Sequence, residues 1–261
     1  MNNVNKTLYI PLYGKAYVSN KGIILKDEKA EEIWNVEGFG LKGKSKSKWL
    51  AYYMGMRSAV FDEWVKKQIK ENPDAIVIHI GCGMDSRWER VNAACIDWYD
   101  VDFPEVVEER KKYYTETEYY HMVEADAREK EWIEKLSCDK EAIIVMEGVS
   151  MYFEFSALQK LLENLNNNFS KIHLLMDCYT EFAAKASKYK NPINDVGVTQ
   201  VYGVNVPETL NIINGLCFVK EHEMTPNSLV EELKGMERKV FKKVFAGSFS
   251  KKMYRLYEYK K

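Results

Sequence analysis

The segment Gly81-Cys82-Gly83-Met84-Asp85-Ser86-Arg87 closes a short apolar run and opens a polar one. Two glycines one residue apart let a backbone turn sharply and approach a ligand that a Cβ would hold off. The turn matches a dinucleotide fingerprint only in part, because Ser86 stands where G-x-G-x-x-G places its third glycine. Asp85 adds negative charge where a pyrophosphate would meet a helix N-terminus, which argues against a nicotinamide cofactor. Taken alone, the motif is equally a glycine turn with an Asp helix cap. Three further corners carry carboxylates. Asp102, with Phe103 beside it, follows the glycine turn by about 20 residues, the placement that serves both hydroxyls of a nucleoside ribose. Asp100 ends less close to that corner, and a plain cap ahead of Pro104 is the competing reading of Asp102. Asp126, next to Ala127, could accept the exocyclic amine of adenine. Glu147 directly follows an apolar run, where a carboxylate needs a partner, and a cationic ligand would be one.

Corners of this kind need strands to hold them. Ala75–Ile80, Ile96–Val101, Tyr119–Val123, Ala142–Met146 and Ile172–Met176 are short apolar runs, alternating with helix-like segments at Asp85–Ala94, Pro104–Tyr114, Glu129–Leu136 and Ser156–Asn166. That alternation predicts a doubly wound α/β fold with a mostly parallel sheet and ligands at the carboxyl ends of its strands. The tail predicts strands at Cys217–Glu223 and Met253–Tyr259, forming an antiparallel hairpin at the sheet edge, around a helix at Ser228–Phe245. Residues 1–72 read as a helical N-terminal lid segment and residues 73–261 as the core. Residues 179–215, with Asn191-Pro192 and Pro207, read as a cap inserted between strands. Trp49, Tyr52, Tyr53, Phe61 and Trp64 fall roughly at helical spacing, with core packing as the default reading and an active-site lid as the alternative.

Composition excludes several classes. A formal net charge of -1 creates no field for nucleic acid or anionic membrane. The five cysteines (Cys82, Cys95, Cys138, Cys178, Cys217) form no C-x-x-C pair, which argues against a zinc site or disulfide framework. Four of them adjoin apolar runs and are expected to be buried thiols. Met1–Ile10 lacks the apolar core of a signal peptide, and no run approaches the ~20 residues of a membrane span, so a cytoplasmic setting is expected. His79, His121, His173 and His222 form no metal-ligand pair, and His79 reads as a core residue with a satisfied ring. Gly38 to Ser45 matches G-x-x-x-x-G-K-[ST] literally, but Ala30–Val36 ahead of it reads as a helix where a phosphate loop needs a strand.

In their order, IHIGCGMDSRWERV, WYDVDFPEV, VEADARE and MEGVSMYF resemble the leucine carboxyl methyltransferase family, whose bacterial branch includes O-methyltransferases of polyketide biosynthesis. The resemblance covers roughly residues 25–180 and includes Arg57 in MRSAVFDEWV, similar to the family's R-x-x-x-x-D element. It implies a seven-stranded Rossmann-like methyltransferase sheet and S-adenosylmethionine as the methyl donor. By resemblance, Arg57 takes the donor's carboxyl end, Gly81 and Gly83 form the turn with Cys82 between them, and Asp102 holds ribose. Asp126 and Ala127 hold adenine, and Glu147 the methionyl amine. Asp85 and Arg87 match the family's D-T-R triplet, with Ser86 in place of threonine. The expected activity is O-methylation of a small molecule at a carboxylate, which needs orientation by Arg57 and Tyr152 but no general base. For a phenol, the sequence names no base. Two other readings stand beside it: a non-catalytic nucleotide-binding module, and a nicotinamide-dependent oxidoreductase, which Ser86 and Asp85 disfavour.

Overall fold

β-Branched runs become strands where helices can cover both faces, and seven strands assemble in the order β3-β2-β1-β4-β5-β7-β6. The computed structural model describes residues 5–37, 43–136, 139–187 and 200–261. The strands are β1 (Ile76–Ile80), β2 (Trp98–Asp102), β3 (Tyr120–Glu124), β4 (Ala142–Met146), β5 (Ile172–Tyr179), β6 (Cys217–His222) and β7 (Tyr254–Lys260). The first five are parallel, and β7 runs antiparallel between β5 and β6. Every residue of β1 and β4 is buried, as expected for central strands covered on both faces. Strand order reverses between β1 and β4, so the chain segments leaving those two strands diverge and leave a crevice at their carboxyl ends.

The helices are α1 (Tyr9–Asn20), α2 (Glu28–Glu37), α3 (Lys48–Glu71), α4 (Arg87–Arg90), α5 (Pro104–Arg110), α6 (Phe155–Asn168), α7 (Glu181–Ala186), α8 (Asn227–Glu231), α9 (Gly235–Val244) and α10 (Ser248–Lys251). Ser47 caps α3, its hydroxyl accepting from Trp49 N–H at 3.3 Å. α1 lies hard against α3 through reciprocal glycines. A Cβ on Gly14 would come 2.7 Å from Met54 Cβ, and one on Gly55 2.7 Å from Val18 Cγ2. Ile10, Leu12, Phe61 and Trp64 of this pair share one core with Val77 and Trp98 of the sheet, so the N-terminal segment is packed onto the sheet.

Several predicted helices are shorter than their sequence patterns. Asp85–Ala94 yields only the four residues of α4, ending before Asn92 at φ 55°. Glu129–Leu136 yields a single 3-10 turn at Ile133–Lys135. In Pro104–Tyr114 the helix stops at Arg110, and Tyr113 and Tyr114 turn back to bond its carbonyl. Ser228–Phe245 divides into α8 and α9 because Lys234 is extended (φ -106°, ψ 149°) and Gly235 after it adopts φ 55°, conformations a continuous helix forbids. Cys82 and Cys178 are buried as expected, but Cys95 and Cys217 are exposed. The first lies in the turn before β2 and the second begins the uncovered edge strand β6. Cys138 lies outside the described residues. So do residues 38–42 of the phosphate-loop lookalike, and the segment ahead of it is the helix α2. Among the described residues no helix is long and apolar enough to cross a membrane, and no cluster of side chains could hold a metal ion.

Candidate active site

A cavity of about 880 Å³ opens at the carboxyl ends of the central strands, within the usual range for small-molecule sites. Arg57, Gly81, Cys82, Gly83, Asp85, Asp102, Phe103, Asp126, Ala127, Glu147 and Tyr152 all line it. The sheet register explains the convergence. β1 pairs with β2 up to Ile80↔Val101 and with β4 up to His79↔Val145, so the turn after β1 sits between Asp102 and Glu147. Gly81 and Gly83 take φ 69° and 52°, and a Cβ on Gly81 would strike Val149 at 2.6 Å. Asp102 Oδ2 accepts Gly83 N–H and Oδ1 accepts Phe103 N–H, each at 2.8 Å. An ionised carboxylate has about four acceptor sites, so each oxygen keeps one for a ligand. Burial raises the pKa of this carboxyl, and its two backbone donors work against that shift. Asp126, at the rim, is held by Arg128 Nε at 2.8 Å and 3.0 Å. That pair is solvent-exposed and readily exchanged.

Beneath the glycine turn lies a buried charge network. Glu147 accepts from Arg57 Nε and Ser58 Oγ, both at 2.9 Å, and from Arg87 Nη2. Burial opposes its charge, but Arg87 and then Arg57 outweigh this and hold its pKa at about 2. The partner that Glu147 requires is therefore supplied by the protein, and the expected cationic ligand would be an additional one. Asp85 is likewise compensated, by Lys15 at 2.8 Å, Arg90 at 2.6 Å and Arg87 at 3.2 Å. Its charge therefore does not repel a pyrophosphate as the sequence suggested. The dinucleotide reading fails instead because α4, with four residues, offers little helix dipole. Arg90 also reaches Asp62 and Asp27, both at 2.7 Å, and Arg87 Nε reaches Asp62 at 2.8 Å. Ser58 and Asp62 stand one turn apart on α3, which places both on the face toward the turn. His79 is a core residue, its Nε2 facing Arg87 Nη1 at 3.2 Å. Since guanidinium only donates, the ring proton belongs on Nδ1, 3.4 Å from Asp100 Oδ1 and outside good hydrogen-bond geometry.

Arg57 divides its nitrogens. Nε serves Glu147, while Nη1 lies 3.1 Å from Asp177 Oδ2 and donates to Tyr254 Oη at 3.2 Å. Nη2 has no partner among the described residues and faces Gly148, where a Cβ would stand only 3.2 Å away. Gly148 takes φ 73°, so both its conformation and its bareness suit this contact.

The rest of the cavity is largely apolar and aromatic. Trp49 and Tyr53 of the aromatic stripe line it, while Tyr52, Phe61 and Trp64 are core. The stripe thus splits between core packing and cavity lining. Tyr179, Ala183, Ala186 and Ser187 contribute from the expected cap, whose residues 188–199 lie outside the described residues. Val244, Phe245 and Met253 form a wall that sequence reading missed, since apolar residues without a motif carry no signal of a site. Lys15, Ser58 and Asp177 were missed as well, whereas Asp62 is the acidic end of the R-x-x-x-x-D element. For Asp177 a signal existed: a lone carboxylate inside the apolar run IHLLMDCY.

Comparison with known proteins places this geometry. The chain is 26% identical over 184 residues to the tetracenomycin polyketide synthesis O-methyltransferase TcmP of Streptomyces glaucescens, covering 70% of this chain and 68% of that protein. It is 22% identical over 189 residues to the S-adenosyl-L-methionine-dependent methyltransferase dpfgK of Gibberella zeae, covering 65% and 62%. The crystal structure of a candidate methyltransferase from Thermobifida fusca YX superposes with a TM-score of 0.61 at 12% identity, over 95% of this chain and 94% of that one, and shares the fold. Residues 12–166, more than half the chain and including all four strand corners, match the profile of leucine carboxyl methyltransferases. The chain belongs to the leucine carboxyl methyltransferase family and is a methyltransferase.

Proposed function

We propose that the chain transfers a methyl group from S-adenosylmethionine to an oxygen of a small, largely apolar acceptor. One observation carries this reading: the four strand corners and Arg57 converge on one cavity, with two acceptor positions of Asp102 open toward it. Asp102 holds the ribose hydroxyls, with Phe103 beside it. Gly81, Cys82 and Gly83 let the backbone approach, and Asp126 with Ala127 takes the adenine. Arg57 Nη2 takes the donor's carboxylate, and Glu147 with Asp85 anchors the cations around it. The donor supplies an electrophilic methyl group. The chain supplies alignment and a dry site, which can be worth ~7–11 kcal/mol in a two-substrate reaction.

In this reading residues 1–72 form a lid over a core at 73–261. Thr7, Leu8, Ile10, Pro11, Leu12 and Lys15 line the cavity, and a Cβ on Gly83 would come 3.3 Å from Leu8 Cβ. The described residues Tyr179, Ala183, Ala186 and Ser187 of the 179–215 cap, with Trp49, Tyr53 and Tyr152, enclose the acceptor. A carboxylate acceptor oriented by Arg57 and Tyr152 remains the reading drawn from the family. The structure of Arg57 favours a second one. Only Nη2 is open, and a donor carboxylate and an acceptor carboxylate would compete for it, so a hydroxyl acceptor fits the charge balance better. The test is calorimetry with S-adenosylmethionine, S-adenosylhomocysteine, NAD and ATP, followed by labelled methyl transfer to panels of carboxylic acids and phenols. Binding of the first two ligands alone supports the reading. Binding of NAD or ATP in their place refutes it.

A further inference from the structure

Asp177 interrupts the apolar strand β5, is 0% exposed, and has no role in the functions described above. Its Oδ1 accepts Gly148 N–H at 2.7 Å. Oδ2 stands 3.1 Å from Arg57 Nη1 without the alignment of a hydrogen bond, so among the described residues its candidate donor is the rotatable Tyr254 hydroxyl. A buried carboxylate oxygen in that condition is costly, and such groups are kept where they act. β7 runs beside β5 with Tyr254 opposite Tyr179. The Tyr254 hydroxyl accepts from Arg57 Nη1 at 3.2 Å, so its own proton is free to point at Asp177, the carboxylate it faces. The Tyr254 ring lines the cavity, 4.8 Å from the Tyr179 ring and 6.4 Å from that of Tyr53. Tyr254 therefore lines the cavity while its hydroxyl faces a carboxylate beneath the cavity floor.

We propose that Tyr254 and Asp177 form a two-step proton relay that deprotonates a hydroxyl acceptor during methyl transfer. The inference rests on the methyltransferase reading of the cavity and supplies the base that the sequence did not name. As the acceptor oxygen bonds to the methyl carbon, the methyl–sulfur bond breaks and its electron pair stays on sulfur. The acceptor's proton passes to the Tyr254 oxygen while the Tyr254 proton passes to Asp177. The sulfonium charge and the Asp177 charge are lost together, and Asp177 later releases the proton to water. Tyr254 touches the acceptor and is the catalytic residue of the pair. Asp177 acts through it.

The surroundings suit a carboxylate that changes charge. From α3, Arg57 and Tyr53 face Asp177; from the corner after β4, Glu147 and Tyr152; from β5, Tyr179 and Cys178; from β7, Tyr254. One guanidinium is shared between two carboxylates. Burial first, and then the Glu147 charge, push the Asp177 pKa up to about 6 despite Arg57.

Two readouts test the relay. In the unliganded protein, infrared difference spectra of wild type against Asp177→Asn should show a carboxyl that titrates near pH 6. Tyr254→Phe should move that titration upward, because the lost hydroxyl stabilised the ionised form. In turnover, naphthols serve as hydroxyl acceptors with labelled S-adenosylmethionine. Tyr254→Phe should lower kcat by roughly tenfold or more with donor affinity kept within about twofold. Asp177→Asn should abolish the fall of wild-type kcat below pH 6, with a thermal melt checking its fold. An Asp177 carboxyl that titrates as an ordinary one overturns the relay. So does methylation confined to carboxylic acids, or wild-type kcat and pH profile in Tyr254→Phe. A wild-type chain that binds no S-adenosylmethionine overturns the functional reading, and the relay with it.

Discussion

Replacing Asp102 by Asn tests the donor site with almost no change in shape. The carboxylate accepts Gly83 N–H and Phe103 N–H at 2.8 Å each, leaving one acceptor position per oxygen for the vicinal ribose hydroxyls. An amide has a single acceptor oxygen, so its NH2 group must face one of those backbone donors and one ribose hydroxyl. Hydrogen bonds to a charged group are worth about 1.5–3 kcal/mol. Losing one of them should weaken S-adenosylhomocysteine binding roughly 10- to 150-fold. The orphaned backbone N–H should also cost about 1–3 kcal/mol of stability, visible in a urea titration. Calorimetry on both proteins, with a 2′-deoxy analogue as the second ligand, separates ligand contact from turn damage. The missing hydroxyl should matter in wild type and much less in the variant. Because burial raises the Asp102 pKa, wild-type affinity should decline at a higher pH than an ordinary carboxylate would dictate as the solution is acidified. Unchanged affinity in Asp102→Asn, or an equal penalty for the deoxy analogue in both proteins, would refute the assignment of ribose to this residue.

Three further expectations concern the same site. Arg57→Lys should weaken donor binding and lower the melting temperature together, because a point charge cannot serve Glu147, Asp177 and the cavity at once; breaking a buried pair typically costs 3–5 kcal/mol. Stability should peak in mildly acidic solution. Asp177, raised to about 6, contributes stability below its unfolded value of 3.8 that is lost as pH rises through 6. Glu147, lowered to about 2, contributes about 3 kcal/mol above 4.5 that is lost as pH falls from 4.5 toward 2, so urea midpoints measured across pH should show a dome and not a plateau. Tyr152→Phe should reduce turnover while leaving donor affinity nearly unchanged, measured as kcat against a calorimetric Kd, since Tyr152 lines the cavity and its hydroxyl is the group proposed to orient the acceptor.

The sequence by itself determined the seven strands, their corners and the corner residues that line the cavity. Local patterns carry that information: β-branched runs such as IVIHI and AIIVM have few other stable conformations, and a glycine pair or a carboxylate at a strand end is specified by neighbours in the chain. Helix lengths were less legible, because Asn92 and Gly235 adopt left-handed conformations that end or interrupt helices whose apolar periodicity continues past them. What only the tertiary structure decided is who partners whom. Glu147 reads in sequence as a carboxylate awaiting a cationic ligand, yet Arg57 and Arg87, 90 and 60 residues away in the chain, reach it first. Arg57 reads as an open fork, yet Glu147, Asp177 and Tyr254 occupy two of its three nitrogens. The apolar wall of the cavity joins Trp49, Tyr179 and Phe245 from three distant segments, and none of them belongs to a motif. Charge compensation and cavity shape depend on contacts across the fold, so side chains with clear local patterns acquire their chemistry only when the sheet brings distant neighbours within 3 Å or so of one another.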